Sequence, residues 1–302
     1  MFTLGCDRAY LYGHPERELT SEEQSRYEDA LVQRSRGIPA QYITGHQEFW
    51  GMDLIVSPAV LIPRPETEHV IEKVLECVGR APSPASLGGT TGTAWDVNTA
   101  LVAKQSGSGA IRRAGTPASP QTNLDLGERA SSPVRSIRIV DVGTGSGCIA
   151  LALAKELPNG EIHATDISAA ALEVARANAA GHQFENRIHF HETNLLAGIE
   201  LNAFDFVVSN PPYVGESEED TVQLEVRKFE PRNAVFAGPT GTEVIDPLIP
   251  QAWEVLKPGG WLVMEISGTI AERVRELLAG WTNVQIRNDL QGVPRVASAQ
   301  RS

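Results

Sequence analysis

The feature that most restricts what this chain can fold into is a change of rhythm at residue 137. There an apolar run, Ile137-Arg138-Ile139-Val140-Asp141-Val142, passes directly into Gly143-Thr144-Gly145-Ser146-Gly147 and then into the apolar positions Ile149, Leu151, Ala152 and Leu153. A buried strand, a glycine turn and a helix in that order open a βαβ unit. The alternation continues, with strands expected over 161–165, 188–192 and 204–209 and a helix over 169–180. A helix over 250–256, a turn at 257–260, a strand over 261–266, a helix over 270–279 and strands near Val284 and Val296 complete it. Strands that alternate with helices build a mostly parallel sheet covered on both faces. The predicted fold class is therefore α/β, a doubly wound, seven-stranded Rossmann-like sheet.

Upstream the pattern differs. The capping side chains of Thr20-Ser21-Glu22-Glu23 predict a helix over 21–36. Two strands are expected over 54–56 and 60–62, joined by Ser57-Pro58-Ala59 and stopped by Pro63-Arg64-Pro65, followed by a helix over 66–78. Between 80 and 136 Ala, Gly, Ser, Thr and Pro dominate, which predicts a mobile insertion with one helix-capable patch at 100–103. The expected organisation is a short helical N-terminal region over 1–47, a β-hairpin and linker helix over 48–79, the insertion over 80–136 and the α/β domain over 137–302.

Charge narrows the function. Asp and Glu number 38 against 26 Lys and Arg in 302 residues, a formal net charge of -12. Such a body repels nucleic-acid phosphates, and the basic clusters are no more than pairs such as Arg112-Arg113 and Arg227-Lys228. A basic protein partner suits it better than nucleic acid. Cys6, Cys77 and Cys148 form neither a disulfide framework nor paired zinc spacing, so a reducing cytoplasm and no metal are expected. The opening residues lack the apolar core of a signal peptide and no run reaches membrane-span length, so neither export nor a membrane role is expected.

Three motifs carry chemistry. Glycines at 143, 145 and 147 let the backbone approach a ligand, and the following helix N-terminus presents free N–H groups, so a nucleotide-like cofactor is expected at Gly143, Thr144, Gly145, Ser146 and Gly147. Cys148 stands where the dinucleotide fingerprint needs its third glycine, and no Gly-Lys-Ser or Gly-Lys-Thr closes the turn, which disfavours NAD and ATP. Asp166 ends the next expected strand, where a carboxylate can accept from both hydroxyls of a ribose. Asn210-Pro211-Pro212-Tyr213 follows the strand over 204–209. The Asn210 side-chain oxygen and the Pro211 carbonyl can together hold one planar NH2 group, and the Tyr213 ring can lie against its plane.

With those motifs in place, the chain resembles the HemK/PrmC family of protein-glutamine methyltransferases, over most of its length. The resemblance implies a seven-stranded methyltransferase sheet and S-adenosyl-L-methionine as cofactor. The implied substrate is the glutamine of the Gly-Gly-Gln tripeptide in class I peptide chain release factors. It assigns the glutamine amide to Asn210, Pro211, Pro212 and Tyr213, and cofactor contacts to the turn 143–147, Asp166, Asn210 and Leu195, the last beside adenine. Asn-Pro-Pro-Tyr also occurs in enzymes that methylate the exocyclic amine of adenine in DNA, and the motif alone does not choose. The choice rests on Gly37-Ile38-Pro39-Ala40-Gln41-Tyr42-Ile43-Thr44-Gly45 and Leu61-Ile62-Pro63-Arg64-Pro65-Glu66-Thr67-Glu68, which look like the segments joining that family's N-terminal and catalytic domains. Glu230-Pro231 and the closing Gly292-Val293-Pro294-Arg295-Val296 are similar to later family segments. The helical N-terminal domain over 1–47 is implied to dock the substrate, a ribosomal-protein glutamine stays open as target, and a monomer is expected.

Overall fold

The structure is a computed structural model, and it describes residues 4–6, 8–79 and 136–302. The expected insertion falls outside the described residues except for Ser136. Three helices come first: α1 (Arg8–Gly13), α2 (Ser21–Ser35) and α3 (Ala40–Thr44). The capping expectation holds for α2, where the Thr20 hydroxyl accepts from Glu23 N at 3.2 Å and Thr20 N donates to the Glu23 carboxylate at 2.9 Å. Two of the helix's orphan donors are thereby satisfied.

A hairpin of β1 (His46–Phe49) and β2 (Met52–Ile55) follows, earlier in the chain than the strands expected at 54–56 and 60–62. Its turn is Trp50-Gly51, with φ of 53° and 64°. Two consecutive positive φ values make the two-residue turn whose twist suits a hairpin, and a tryptophan there hides the usual Asn-Gly signal. Residues 60–62 form no strand. Trp50 is buried and fastened by three polar contacts: its N donates to Glu68 at 3.0 Å, its indole Nε1 to Glu156 at 2.9 Å, and its carbonyl accepts from Lys155 Nζ at 2.9 Å. Helix α4 (Glu68–Cys77) then buries Val70, Ile71, Val74 and Leu75 completely. Each such side chain contributes about 1.5–3 kcal/mol relative to exposure.

The α/β body runs β3 (Arg138–Val142), α5 (Cys148–Glu156), β4 (Glu161–Asp166), α6 (Ala169–Gly181), β5 (Ile188–Glu192) and β6 (Phe204–Ser209). It continues through β7 (Val214–Gly215), α7 (Leu224–Phe229), α8 (Arg232–Val235), β8 (Phe236–Gly238), α9 (Ile245–Val255), β9 (Leu256–Glu265), α10 (Ala271–Leu277), β10 (Thr282–Asn288) and β11 (Pro294–Gln300). The main sheet has seven strands in the order β10-β11-β9-β6-β3-β4-β5. β11 pairs antiparallel with both its neighbours, and the pairs from β9 through to β5 are parallel. Residues alternate between two apolar layers. Ile139, Phe206 and Val208 pack with α4 and α5, whereas Val140, Val142 and Val207 pack with α9 and α10.

Two expectations are corrected here. Helix α9 begins at Ile245, five residues before its expected start, because Pro247 sits in the first turn, where no N–H partner is needed, and only Pro250 removes an interior bond. The expected turn at 257–260 is absorbed into β9 as a bulge, with the register slipping between Phe204↔Leu256 and Phe206↔Trp261 and Gly259 at φ 81°. Among the described residues no helix is long and apolar enough to cross a membrane.

Candidate active site

Strand order reverses between β3 and β6, and open α/β sheets bind ligands in the crevice outside the strand ends at such a point. Register then brings the motifs together. Val142 pairs with Ser209, so Gly143 and Asn210 are the next residues of adjacent strands, and the Ser209 hydroxyl ties them by donating to the Val142 carbonyl at 2.7 Å. On the other side Val142 pairs with Thr165, which places Asp166 beside the same turn. A cavity of about 530 Å³ opens there, lined among others by Gly143, Thr144, Gly145, Ser146, Asp166, Leu195, Asn210, Pro211 and Pro212. Gly147 and Tyr213 are not among its lining residues.

Backbone geometry shapes the glycine end. Gly143, Gly145 and Gly147 have φ of 69°, 55° and 83°. A Cβ at Gly143 or Gly145 would meet open space, whereas one at Gly147 would lie 2.6 Å from Leu151 Cδ1, so Gly147 serves helix packing rather than the cavity. The turn is held by Gly143 N and Thr144 N, both donating to Thr165 O at 2.9 Å. Asp166 accepts from Gly145 N and from Ser168 N, each at 2.9 Å, which fixes its carboxylate against the turn. Ser168, not Asp166, caps α6 by accepting from Ala171 N at 3.2 Å. Beneath the turn Asp141 is fully buried. Its Oδ2 accepts from the Thr144 hydroxyl at 2.6 Å and Ala150 N at 3.2 Å, while Oδ1 has no partner. Burial pushes its carboxyl up to about 7.

A side-chain relay builds the other end. Asn210 Nδ2 donates to the Thr67 hydroxyl at 3.0 Å, Thr67 donates to Glu265 Oε2 at 2.6 Å, and the Tyr213 hydroxyl donates to Glu265 Oε1 at 2.9 Å. Because the Thr67 hydrogen is committed to a carboxylate, its oxygen can only accept, so the Asn210 NH2 must face it. The Asn210 side-chain oxygen is then left with no donor among the described residues. The Pro211 carbonyl lies outside every strand pairing. Burial and the facing Glu265 carboxylate hold the Tyr213 phenol well above its ordinary range, so it stays protonated. Glu265 is itself buried and its carboxyl raised by that burial.

Sequence reasoning missed Thr67 and Glu265 as partners of the motif. Glu265 could have been found from topology alone, since Met264 pairs with Ser209. It also missed Asn178, whose Nδ2 donates to Ser146 O at 2.9 Å and to Ile55 O at 3.0 Å while its Oδ1 accepts from Ile55 N at 2.7 Å, joining the hairpin to the glycine turn. Glu230 is buried and accepts from Ile62 N at 3.0 Å and from Arg64, bracing the segment that carries Leu61 and Pro63 into the cavity wall. Ile167 is 62% exposed next to Asp166 and lines the cavity with Leu195. A carboxylate beside the exposed Ile167 and the half-buried Leu195 suits a ribose joined to a flat base. Volume, bare glycine backbone and donor set all fit a nucleoside-type methyl donor.

Comparisons with known proteins point to one family. Residues 125–228 match the methyltransferase small domain family, and residues 1–45 match the PrmC N-terminal domain family. The release factor glutamine methyltransferase of Koribacter versatilis (strain Ellin345) is 47% identical over 302 residues, which is 100% of this chain and 88% of that one. That of Chlorobaculum tepidum (strain ATCC 49652 / DSM 12025 / NBRC 103806 / TLS) is 37% identical over 297 residues, 97% of this chain and 84% of that one. The chain is an S-adenosylmethionine-dependent methyltransferase with a PrmC-type N-terminal segment. It belongs to the release factor glutamine methyltransferase family.

Proposed function

We propose that this chain methylates the side-chain amide nitrogen of a protein glutamine, that of the Gly-Gly-Gln tripeptide of a class I peptide chain release factor. We place it in the cytoplasm as a monomer without direct contact to nucleic acid. One observation carries the reading: the relay through Thr67 and Glu265 turns the Asn210 side-chain oxygen away from internal hydrogen bonding, at the wall of the cavity that also holds the glycine turn and Asp166. The relatives' names support the choice of substrate.

The bound cofactor supplies an electrophilic methyl group on a sulfonium sulfur. Asp166 is proposed to accept from its ribose hydroxyls, Gly143, Thr144, Gly145 and Ser146 to cradle it through backbone, and Leu195 to flank the adenine. An amide nitrogen is a poor nucleophile because its lone pair is delocalised into the carbonyl. The Asn210 side-chain oxygen and the Pro211 carbonyl, each accepting one N–H, hold the amide in line. Their contacts strengthen as the nitrogen becomes positive, so they favour the transition state over the ground state. Tyr213, whose ring does not line the cavity, is proposed to support the amide end from behind, with its hydroxyl anchored on Glu265 rather than acting as a base. The nitrogen sheds its extra proton to water after the N–C bond has formed.

Among the described residues lining the cavity Asp166 is the only charged one, and no Lys or Arg is present to meet a phosphate. That weighs against DNA adenine as substrate. The test is mass spectrometry of a release factor and of duplex DNA after incubation with the chain and methyl donor. A methyl increment on the Gly-Gly-Gln peptide is expected, and methylated DNA beside an unmodified release factor would overturn the reading.

A further inference from the structure

Away from the cavity, side chains able to ligate metal gather on one face of β4 and β5. Glu161 and His163 are two residues apart on β4, and His189 and His191 two apart on β5, so the members of each pair point the same way. Parallel pairing sets His163 against His189. One ligating atom from each of Glu161, His163 and His189 lies within 4.8 Å of the other two. The nitrogens of His163 are differently engaged: Nε2 is 2.9 Å from Glu161 Oε1, and Nδ1 is 2.9 Å from His191 Nε2. The rings of His163 and His191 are nearly parallel, at 4°.

We infer that Glu161, His163 and His189 form a binding site for a divalent transition-metal ion, Zn2+ foremost, with water completing the coordination and His191 orienting His163. Two imidazoles and a carboxylate match borderline ions rather than Mg2+ or Ca2+, which prefer oxygen donors. Bonds of about 2.0–2.2 Å put the ligand atoms of a tetrahedral site about 3.3 Å apart. The His163–Glu161 contact, at 2.9 Å, has to open slightly to admit an ion, and the remaining closure falls to His189, which is exposed and able to turn. Metal-bound imidazoles characteristically donate their other N–H to a neighbouring acceptor, the part His191 Nε2 is placed to play. With that donation the His163 Nε2 lone pair faces the Glu161 carboxylate, and a cation between two acceptors satisfies both. Without the ion the tautomers reverse, and His163 Nε2–H donates to Glu161.

Arg138 is the competing cation, with Nε 3.1 Å from Glu161 Oε1. Its Nη1 is held separately by Glu200 at 3.0 Å and by the Ala203 carbonyl at 3.4 Å, so it can stay in place when Glu161 turns to an ion. This departs from the expectation of no metal, which rested on the spacing of Cys6, Cys77 and Cys148. Here the ligands come from two strands that only the sheet brings together. β5 is an edge strand, and the ion would fasten it to β4, stiffening the two strand ends that lead to Asp166 and Leu195.

The test is calorimetric titration of the chelator-treated full chain with Zn2+, and with Co2+ for its visible absorption. One ion per chain is expected, with a cobalt spectrum of mixed nitrogen and oxygen ligation. His189→Ala, at an exposed position, should abolish that binding while leaving metal-free thermal melting unchanged, and His191→Ala should weaken it about 10–100-fold. A Cys6→Ser/Cys77→Ser variant should bind normally. Undiminished stoichiometric binding by His189→Ala, loss of binding in the cysteine variant, or no uptake by the wild type at millimolar Zn2+ would each overturn the assignment.

Discussion

The two ends of the cavity are held by different means. At the glycine end the positioning groups are backbone N–H and C=O from neighbouring strands and turns, with Asp166 locked by Gly145 and Ser168. At the Asn210 end they are side chains, Thr67 and Glu265, drawn from the segment before α4 and the end of β9. A backbone cradle tolerates many sequences but offers one shape. A side-chain relay can set which atom of an amide faces the ligand, and so can distinguish a donor from an acceptor. The two halves should therefore fail independently when altered.

The largest expected effect is at the relay's end. Asn210→Ala should lower kcat by roughly 10²–10³, the usual cost of one preorganised polar contact, while leaving cofactor affinity nearly intact. A near-normal rate in a methyl-transfer assay would remove Asn210 from the site. Next, Asp166→Ala should cost about 1.5–3 kcal/mol of cofactor binding by calorimetry, because a charge-assisted contact is lost. Unchanged affinity would break the assignment of that end. A smaller change, Thr67→Val, should cut kcat about tenfold, since one net hydrogen bond is worth about 1–1.5 kcal/mol, and Thr67→Ser should restore it. If Thr67→Val instead weakened cofactor binding, the division between the two ends would collapse.

The remaining effect is on stability and belongs to neither end. Burial pushes the Asp141 carboxyl up to about 7. A carboxyl raised in the folded chain contributes stability that is complete below its unfolded value near pH 4 and is lost as pH climbs through about 7. Denaturant melts between pH 4 and pH 8 should show that loss in the wild type and a flatter profile in Asp141→Asn. Parallel profiles would mean that Asp141 is already ionised in the folded chain.

The same contrast explains what could be read in advance. The glycine turn, Asp166 and Asn210 were legible because each closes a strand that shows in the apolar pattern. That they face a common ligand was expected because ligands in such folds bind outside the carboxyl ends of the strands, whereas the reversal of strand order between β3 and β6 shows only in the structure. Thr67 and Glu265 were not, since neither carries a local signal and their partnership exists only through the packing of α4 and β9 against β6. The hairpin was misplaced because Trp50 occupies a left-handed turn position that favours Asn or Gly. The cavity wall contributed by α8 and β8 was missed as well, those elements being only four and three residues long.

The fastening of Trp50 bears on how a large partner is measured. With the hairpin tip riveted to α4 and α5, the helices α2 and α3 ride on a bracket rather than a tether. Their separation from the cavity acts as a ruler. A protein gripping both places meets no slack that must first be taken up, so the second contact forms at a high local concentration set by geometry alone. On the proposed function, reach, as much as chemistry, would then select which exposed amide arrives at Asn210.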